Sequence, residues 1–133
     1  MSAACPLDKK TVLAIHAAAI ERFGGTDGVR DEGLLESALA QPFQTFAGQE
    51  LYPTAALKAA RYAFGIASDH PFVDGNKRTA TAVMGAWLRL GGHRFKPRHD
   101  ELLSTMVGVA DGSVSFEQLA EWLESQIAER PTG

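Results

Sequence analysis

The stretch His70-Pro71-Phe72-Val73-Asp74-Gly75-Asn76-Lys77-Arg78-Thr79 lies between two segments of helical periodicity and sets how the chain turns from one to the other. Before it, Leu57, Ala60, Phe64 and Ala67 recur at helical spacing. After it, Ala80, Val83, Met84, Trp87 and Leu88 do the same, up to a stop at Gly91-Gly92. Pro71 biases His70 away from helical dihedrals, so the earlier helix is expected to end there. Gly75 permits a tight turn, and Lys77 is expected to open the later helix.

Outward from this turn the same period recurs. Val12, Ile15, Ala19, Ile20 and Phe23 mark a first helix, with Gly24 as a left-handed cap. Leu34, Leu35, Ala38 and Leu39 mark a second, with Asp31 as N-cap and Pro42 just beyond its end. Leu102, Leu103, Met106, Val107 and Ala110 mark a fifth. Phe116, Leu119, Ala120, Leu123 and Ile127 mark a sixth, opened by Ser115 and Gln118 as a capping box. The 21 Ala and 13 Leu, against 11 Val plus Ile, favour helix over strand. No sustained apolar/polar alternation occurs, although His93–Lys96 suits a short extended piece. The expectation is an all-α, single-domain bundle of about six helices over residues 1–133, with 1–7 and 130–133 frayed. The longest segment without periodic signal, Gln41–Tyr52, carries Phe43 and Phe46; long loops in compact domains are more often functional than accidental.

Other classes fall away. A chain of 133 residues can bury roughly two-thirds of its unfolded surface, enough for a core without staples. A single cysteine, Cys5, allows no intrachain disulfide and has no signs of a nucleophile. The start MSAACPLDKK lacks the apolar core of a signal peptide, and no apolar run approaches the ~18 residues of a membrane span. A cytoplasmic protein without a membrane role is expected. The net charge of -3 hides an asymmetry: Gly75–His99 holds six basic residues and no acidic one, whereas Asp100–Glu129 holds seven acidic residues and no basic one. Either these are two oppositely charged solvated faces, or the basic stretch draws in an anion. Nucleic acid is not expected to be that anion, because no helix combines a dense basic stripe with interleaved aromatics.

The central loop is the chemically loaded segment. Backbone N–H groups around Gly75–Arg78 are free at the helix start, and with the helix dipole they make an anion site. Lys77 and Arg78 put two cations where the dipole disfavours them, a conflict that an anion resolves. His70 can act as a general base, Asp74 can hold Mg²⁺ that bridges phosphates, and Asn76 can bond a neighbouring oxygen. Together these are the requirements of phosphoryl transfer: charge neutralisation, positioning and a base for the attacking hydroxyl. The competing reading is a loop packed by Phe72 and Val73 with its polar residues solvated. His70 and Asp74 make no structural zinc site, which would want four ligands including Cys or further His.

The run HPFVDGNKRTA resembles the signature of the Fic/Doc superfamily. Fic enzymes show His-Pro-Phe-x-Asp/Glu-Gly-Asn-Gly-Arg with a further Arg three positions on. This chain has Lys77 in place of that glycine and Thr81 in place of that arginine, both as in the death-on-curing (Doc) branch. The stretch GGTDGVRDEGLLESALAQP, Tyr52-Pro53 with Lys58-Ala59-Ala60, Gly91-Gly92-His93 and the final FEQLAEWL are similar to Doc-type toxins as well. The resemblance implies a small helical bundle and an ATP-dependent kinase that modifies a threonine of elongation factor Tu and stops translation. It implies His70 as base, Asp74 as the group that organises Mg²⁺, and Gly75, Asn76, Lys77 and Arg78 as the phosphate cradle. It also implies a cognate Phd-like antitoxin that folds on binding. A lysine at position 77 fills space that glycine leaves open, which makes γ-phosphoryl transfer the expected reaction over AMP transfer. Protein nucleotidyl transfer and a catalytically inactive antitoxin-binding module remain as alternatives.

The rest of the chain reads more blandly. His16, beside Ile15, is a surface or satisfied core histidine. His93 and His99 are surface residues, Met84 and Trp87 are core, and Arg30-Asp31 is a turn and N-cap device. A self-inhibitory helix would read Ser/Thr-x-x-x-Glu-Gly/Asn. The nearest string, Ser125 to Arg130, ends in arginine, so inhibition is expected from another chain. The acidic sixth helix and the Gln41–Tyr52 loop are the expected flanks of a groove for it.

Overall fold

The computed structural model describes residues 7–128, and six α-helices carry the fold within them. They are α1 (Lys9–Phe23), α2 (Glu32–Ala40), α3 (Ala55–Asp69), α4 (Asn76–Leu90), α5 (His99–Asp111) and α6 (Phe116–Ala128). Their starts follow local chemistry. The side chains of Asp8, Asp31 and Thr54 accept from the N–H groups of Thr11, Leu34 and Leu57 at 2.8, 3.0 and 3.1 Å. Each such cap is worth about 1 kcal/mol. Ser115 and Gln118 form the reciprocal box, with the Ser115 N–H donating to Gln118 Oε1 at 2.9 Å and the Gln118 N–H to Ser115 Oγ at 3.1 Å.

α3 is the central helix, packed by α2, α4, α5 and α6. Its alanines, Ala56, Ala59, Ala60, Ala63 and Ala67, are buried and let the neighbouring helices approach closely. Tyr62 and Ile66 supply its bulk. Around them lie Leu35 of α2, Met84 and Leu88 of α4, Leu119 and Leu123 of α6, and Phe72 from the turn between α3 and α4. Burial of this apolar set drives the fold at about 25 cal/mol per Å² removed from water. α1 packs on α4, which places the face carrying His16 beneath the turn that precedes α4.

The segment between α2 and α3 is more ordered than its sequence suggests. A 3₁₀ turn, Gln41–Phe43, leads into two short antiparallel strands, β1 (Thr45–Phe46) and β2 (Gln49–Glu50). The ammonium group of the buried Lys58 ties this hairpin down by bonding the Glu50 carboxylate and the Tyr52 main-chain oxygen. Phe43, expected only as part of a loop without periodic signal, packs edge-on to Tyr62 and Trp87, so Phe46 is the ring this segment presents to solvent.

Other expectations need correction. Leu7, placed in a frayed end, is buried and donates its N–H to the Tyr62 hydroxyl at 2.9 Å. The rest of that expectation (1–6 and 130–133), Cys5 and the end of the Ser125–Arg130 string lie outside the described residues. Phe23, Leu103 and Val107, counted in apolar stripes, are exposed, because each stripe is wider than the face its helix buries. α4 opens at Asn76, one residue early, with Gly75 as its cap. The His93–Lys96 piece joins no strand, although its Phe95 is buried. No helix among the described residues is long and apolar enough to cross a membrane.

Candidate active site

The site begins where α3 stops. His70 is the residue after its last turn and adopts left-handed dihedrals, φ 53° and ψ 59°. For a residue with a Cβ this costs roughly 1–2 kcal/mol. It persists because the segment between α1 and α2 grips the turn. Arg30 donates Nε–H to the His70 main-chain oxygen at 2.7 Å and a terminal N–H to that of Asp69 at 2.8 Å. This satisfies carbonyls that the helix end leaves bare and puts a cation at the negative end of its dipole. The N–H groups of Arg30 and Asp31 both reach the Pro71 oxygen, at 2.7 and 3.0 Å, and the Val73 N–H reaches the Gly28 oxygen at 3.0 Å. Val29 and Phe72 thereby form a single antiparallel bridge.

The imidazole that emerges is exposed. Its Nδ1 lies 3.1 Å from the Ser68 main-chain oxygen. A carbonyl can only accept, so Nδ1 carries the hydrogen of this contact, which in a neutral ring leaves the lone pair on Nε2.

The turn is closed from within by Asn76. It is buried, and its amide spans the backbone of Phe72: Nδ2 donates to the Phe72 oxygen at 3.0 Å and Oδ1 accepts the Phe72 N–H at 2.9 Å. These two bonds make Asn76 a shaper of the cradle, and the second Nδ2 hydrogen and the backbone N–H are not used by them. The ring of Phe72 is fully buried and stacks on His16 of α1, with centroids 3.9 Å apart and planes 7° apart.

Asp74 stands at the mouth of the turn. Its Oδ1 accepts from the Gly75 N–H at 3.1 Å and its Oδ2 from the Thr26 N–H at 3.2 Å. The α1–α2 segment passes close to this carboxylate at Gly25, whose φ of 118° favours glycine and where a Cβ would stand 2.9 Å from Asp74 Oδ2. The main-chain oxygen of Asp74 accepts from His16 Nε2 at 2.8 Å. The exposed carboxylate keeps lone pairs free on the solvent side.

Gly75, at φ 75°, turns the chain into α4. The helix ladder first engages the Thr79 N–H, which donates to the Gly75 oxygen at 3.0 Å, so the N–H groups of Asn76, Lys77 and Arg78 precede it. No acidic residue occupies this first turn. Lys77 and Arg78 are exposed. The Arg78 guanidinium lies 4.0 Å from the centroid of the Phe23 ring, which gives that exposed aromatic a role in holding the cation. Thr81 donates its hydroxyl to the Lys77 oxygen at 2.8 Å.

One turn therefore carries the His70 imidazole, the Asp74 carboxylate, the Gly75 bend and the N–H groups and cations of residues 76–78. Among the described residues no three His, Cys, Asp or Glu side chains cluster as a metal cage. A single exposed carboxylate with unused lone pairs suits Mg²⁺ delivered on a nucleotide, since that ion is usually held by one or two carboxylates plus phosphates. His16, Thr26, Arg30 and Phe23 complete the site. Of these, His16 is a core histidine, as its helix position allowed, with one hydrogen bond, and Arg30 does more than form a turn.

A sequence profile of the Fic/DOC family matches residues 6–88. The chain is 43% identical to "Toxin Doc" of Mycolicibacterium smegmatis over 129 residues, 96% of this chain and 97% of that protein. It is 31% identical to "Protein kinase doc" of Escherichia phage P1 over 117 residues, 88% of this chain and 91% of that one.

Proposed function

The chain belongs to the Fic/DOC family, and from that premise we propose that it is the toxin of a toxin–antitoxin pair, a protein kinase that passes the γ-phosphoryl group of ATP to a hydroxyl of a translation factor. The observation that carries the reading is an exposed His70 imidazole, held by its Nδ1 contact to the Ser68 oxygen, on the same turn as a helix start whose free N–H groups are flanked by Lys77 and Arg78. The base takes the proton of the incoming hydroxyl as its oxygen bonds to the γ-phosphorus, and ADP leaves with the bridging oxygen. Backbone N–H groups of residues 76–78, together with Lys77 and Arg78, neutralise the phosphate charge. Asp74 holds Mg²⁺, which when bound offsets charge on the phosphate oxygens. Lys77 supplies a point charge where an AMP-transferring Fic enzyme has bare backbone, which favours the γ-phosphorus as the reacting centre. The threonine hydroxyl of elongation factor Tu is the substrate proposed.

A kinase of this kind needs an inhibitor, and we assign that part to a Phd-like antitoxin segment that folds on binding. Tyr52 meets Phe116 edge-on at 5.5 Å, so the hairpin side of the molecule abuts the start of the acidic α6. Exposed Phe46 and Leu51 give this region apolar anchors. Expression in a bacterial host tests the reading. Wild type alone should arrest growth, the neighbouring reading frame should rescue it, and His70→Ala should be harmless. Normal growth with soluble, active wild-type protein and no partner would overturn the toxin assignment.

A further inference from the structure

The buried His16 is unused in the chemistry above, yet it sits directly behind the carboxylate of the site. It is 2% exposed, and its Nε2 lies 2.8 Å from the Asp74 main-chain oxygen. A carbonyl accepts only, so Nε2 carries the hydrogen of this bond. Its other nitrogen, Nδ1, is 3.6 Å from Asp27 Oδ1, too far for a hydrogen bond. The ring thus makes one polar contact, and a polar ring in a core is costly unless that contact is needed. Its face covers Phe72, and its edge underlies Gly75, where a Cβ would stand 3.7 Å from Nε2. α1 therefore touches three parts of the turn: the Phe72 ring, the Asp74 carbonyl and the Gly75 backbone.

We infer that His16 is a positioning residue for the Asp74 carboxylate, fixing through the peptide of Asp74 where that carboxylate meets a nucleotide-borne Mg²⁺. The inference rests on the metal-holding part assigned to Asp74 above. The carboxylate is anchored at both oxygens, by Gly75 and Thr26 N–H groups. Those anchors fix its direction only if the Asp74 peptide itself is fixed, and the His16 bond is what pins that peptide to α1. Loss of a hydrogen-bonded group behind a metal ligand typically costs about 10–100-fold in metal affinity.

Two substitutions separate the bond from the packing. His16→Phe keeps a flat ring against Phe72 and removes the donor. His16→Gln places an amide N–H near the position of Nε2 and removes the stack. The readout is calorimetric binding of a non-hydrolysable ATP analogue with and without Mg²⁺, alongside the Mg²⁺ dependence of transfer. Wild type should bind more tightly with Mg²⁺, and Asp74→Asn should lose that gain. His16→Phe should lose about tenfold of the gain while binding the metal-free analogue as wild type does, and His16→Gln should keep it to within a few-fold. If His16→Phe does not fold, His16→Asn, whose amide is too short to reach, replaces it in the comparison with His16→Gln. An unchanged Mg²⁺ gain in the donor-less variant, or no Mg²⁺ gain in wild type, overturns the inference. Wild type that binds the Mg²⁺ complex but modifies no target would instead sink the kinase reading and leave the part of His16 standing.

Discussion

Arg30 and His70 lie 40 residues apart in the chain, and the guanidinium of the first holds the main-chain oxygen of the second at 2.7 Å. That contact and its companion to Asp69 keep His70 in a backbone conformation that its own side chain disfavours.

Arg30→Met should therefore act on both stability and rate. It removes two bonds to helix-end carbonyls from a partly solvated site, for an expected loss of about 1–2 kcal/mol. The transfer rate should fall about tenfold as His70 samples other backbone states, a loss of about 1.4 kcal/mol in the barrier. Thermal unfolding and single-turnover rates check this; a variant with the wild-type rate would show that the clamp is structural only.

At position 70 itself, base chemistry and backbone strain can be separated. His70→Ala and His70→Gly should both lose transfer, by about 10²–10⁴-fold. Glycine has no Cβ to clash at φ 53°, so the Gly variant should be about 1 kcal/mol more stable than the Ala variant. Urea midpoints measure the difference, and equal midpoints would mean that the left-handed turn stores no strain.

Asn76→Ala should unfold the site rather than merely weaken phosphate binding. It leaves the Phe72 N–H and C=O without partners in a buried turn, and the expected cost is about 2–4 kcal/mol. The ring of Phe72 should lose protection together with them, which the exchange of the Phe72 amide hydrogen reports. Retention of the wild-type unfolding midpoint would contradict the clamp.

Tyr62 gives the fold an alkaline limit. Burial pushes its hydroxyl up to about 12, from an ordinary 10.0, despite the Leu7 N–H that it accepts. The neutral phenol is the form the core stabilises, so its contribution is complete below pH 10 and is lost as pH rises from about 10 toward 12. The difference in urea midpoint between wild type and Tyr62→Phe should shift across that window and stay flat below it. A flat difference throughout would mean the hydroxyl is not buried in solution.

Much of this architecture was legible because helices advertise themselves locally. The stripe Ala80, Val83, Met84, Trp87 and Leu88, and the Ser115–Gln118 box, are written within single turns of chain. So was the His70–Thr79 loop, where a proline, a glycine and two cations at a helix start break local rules together. The hairpin was not legible, since strands of two residues each carry no period. Nor were the supports of the site. Arg30 reaches His70 and His16 reaches Asp74, 58 residues away, and pairings of that range leave no mark in either neighbourhood. The Asn76–Phe72 bonds were hidden for a different reason: an amide suits phosphate and backbone equally, and nothing in the sequence marks this one as buried.

The most direct test of the kinase reading is the intact mass of elongation factor Tu after incubation with this protein, ATP and Mg²⁺, with His70→Ala in parallel. The account predicts a single phosphoryl adduct on the target with wild type, borne by a threonine, and none with the variant. An AMP adduct would contradict the part given to Lys77. An unmodified target, with wild-type protein that demonstrably binds ATP, would contradict the proposed substrate.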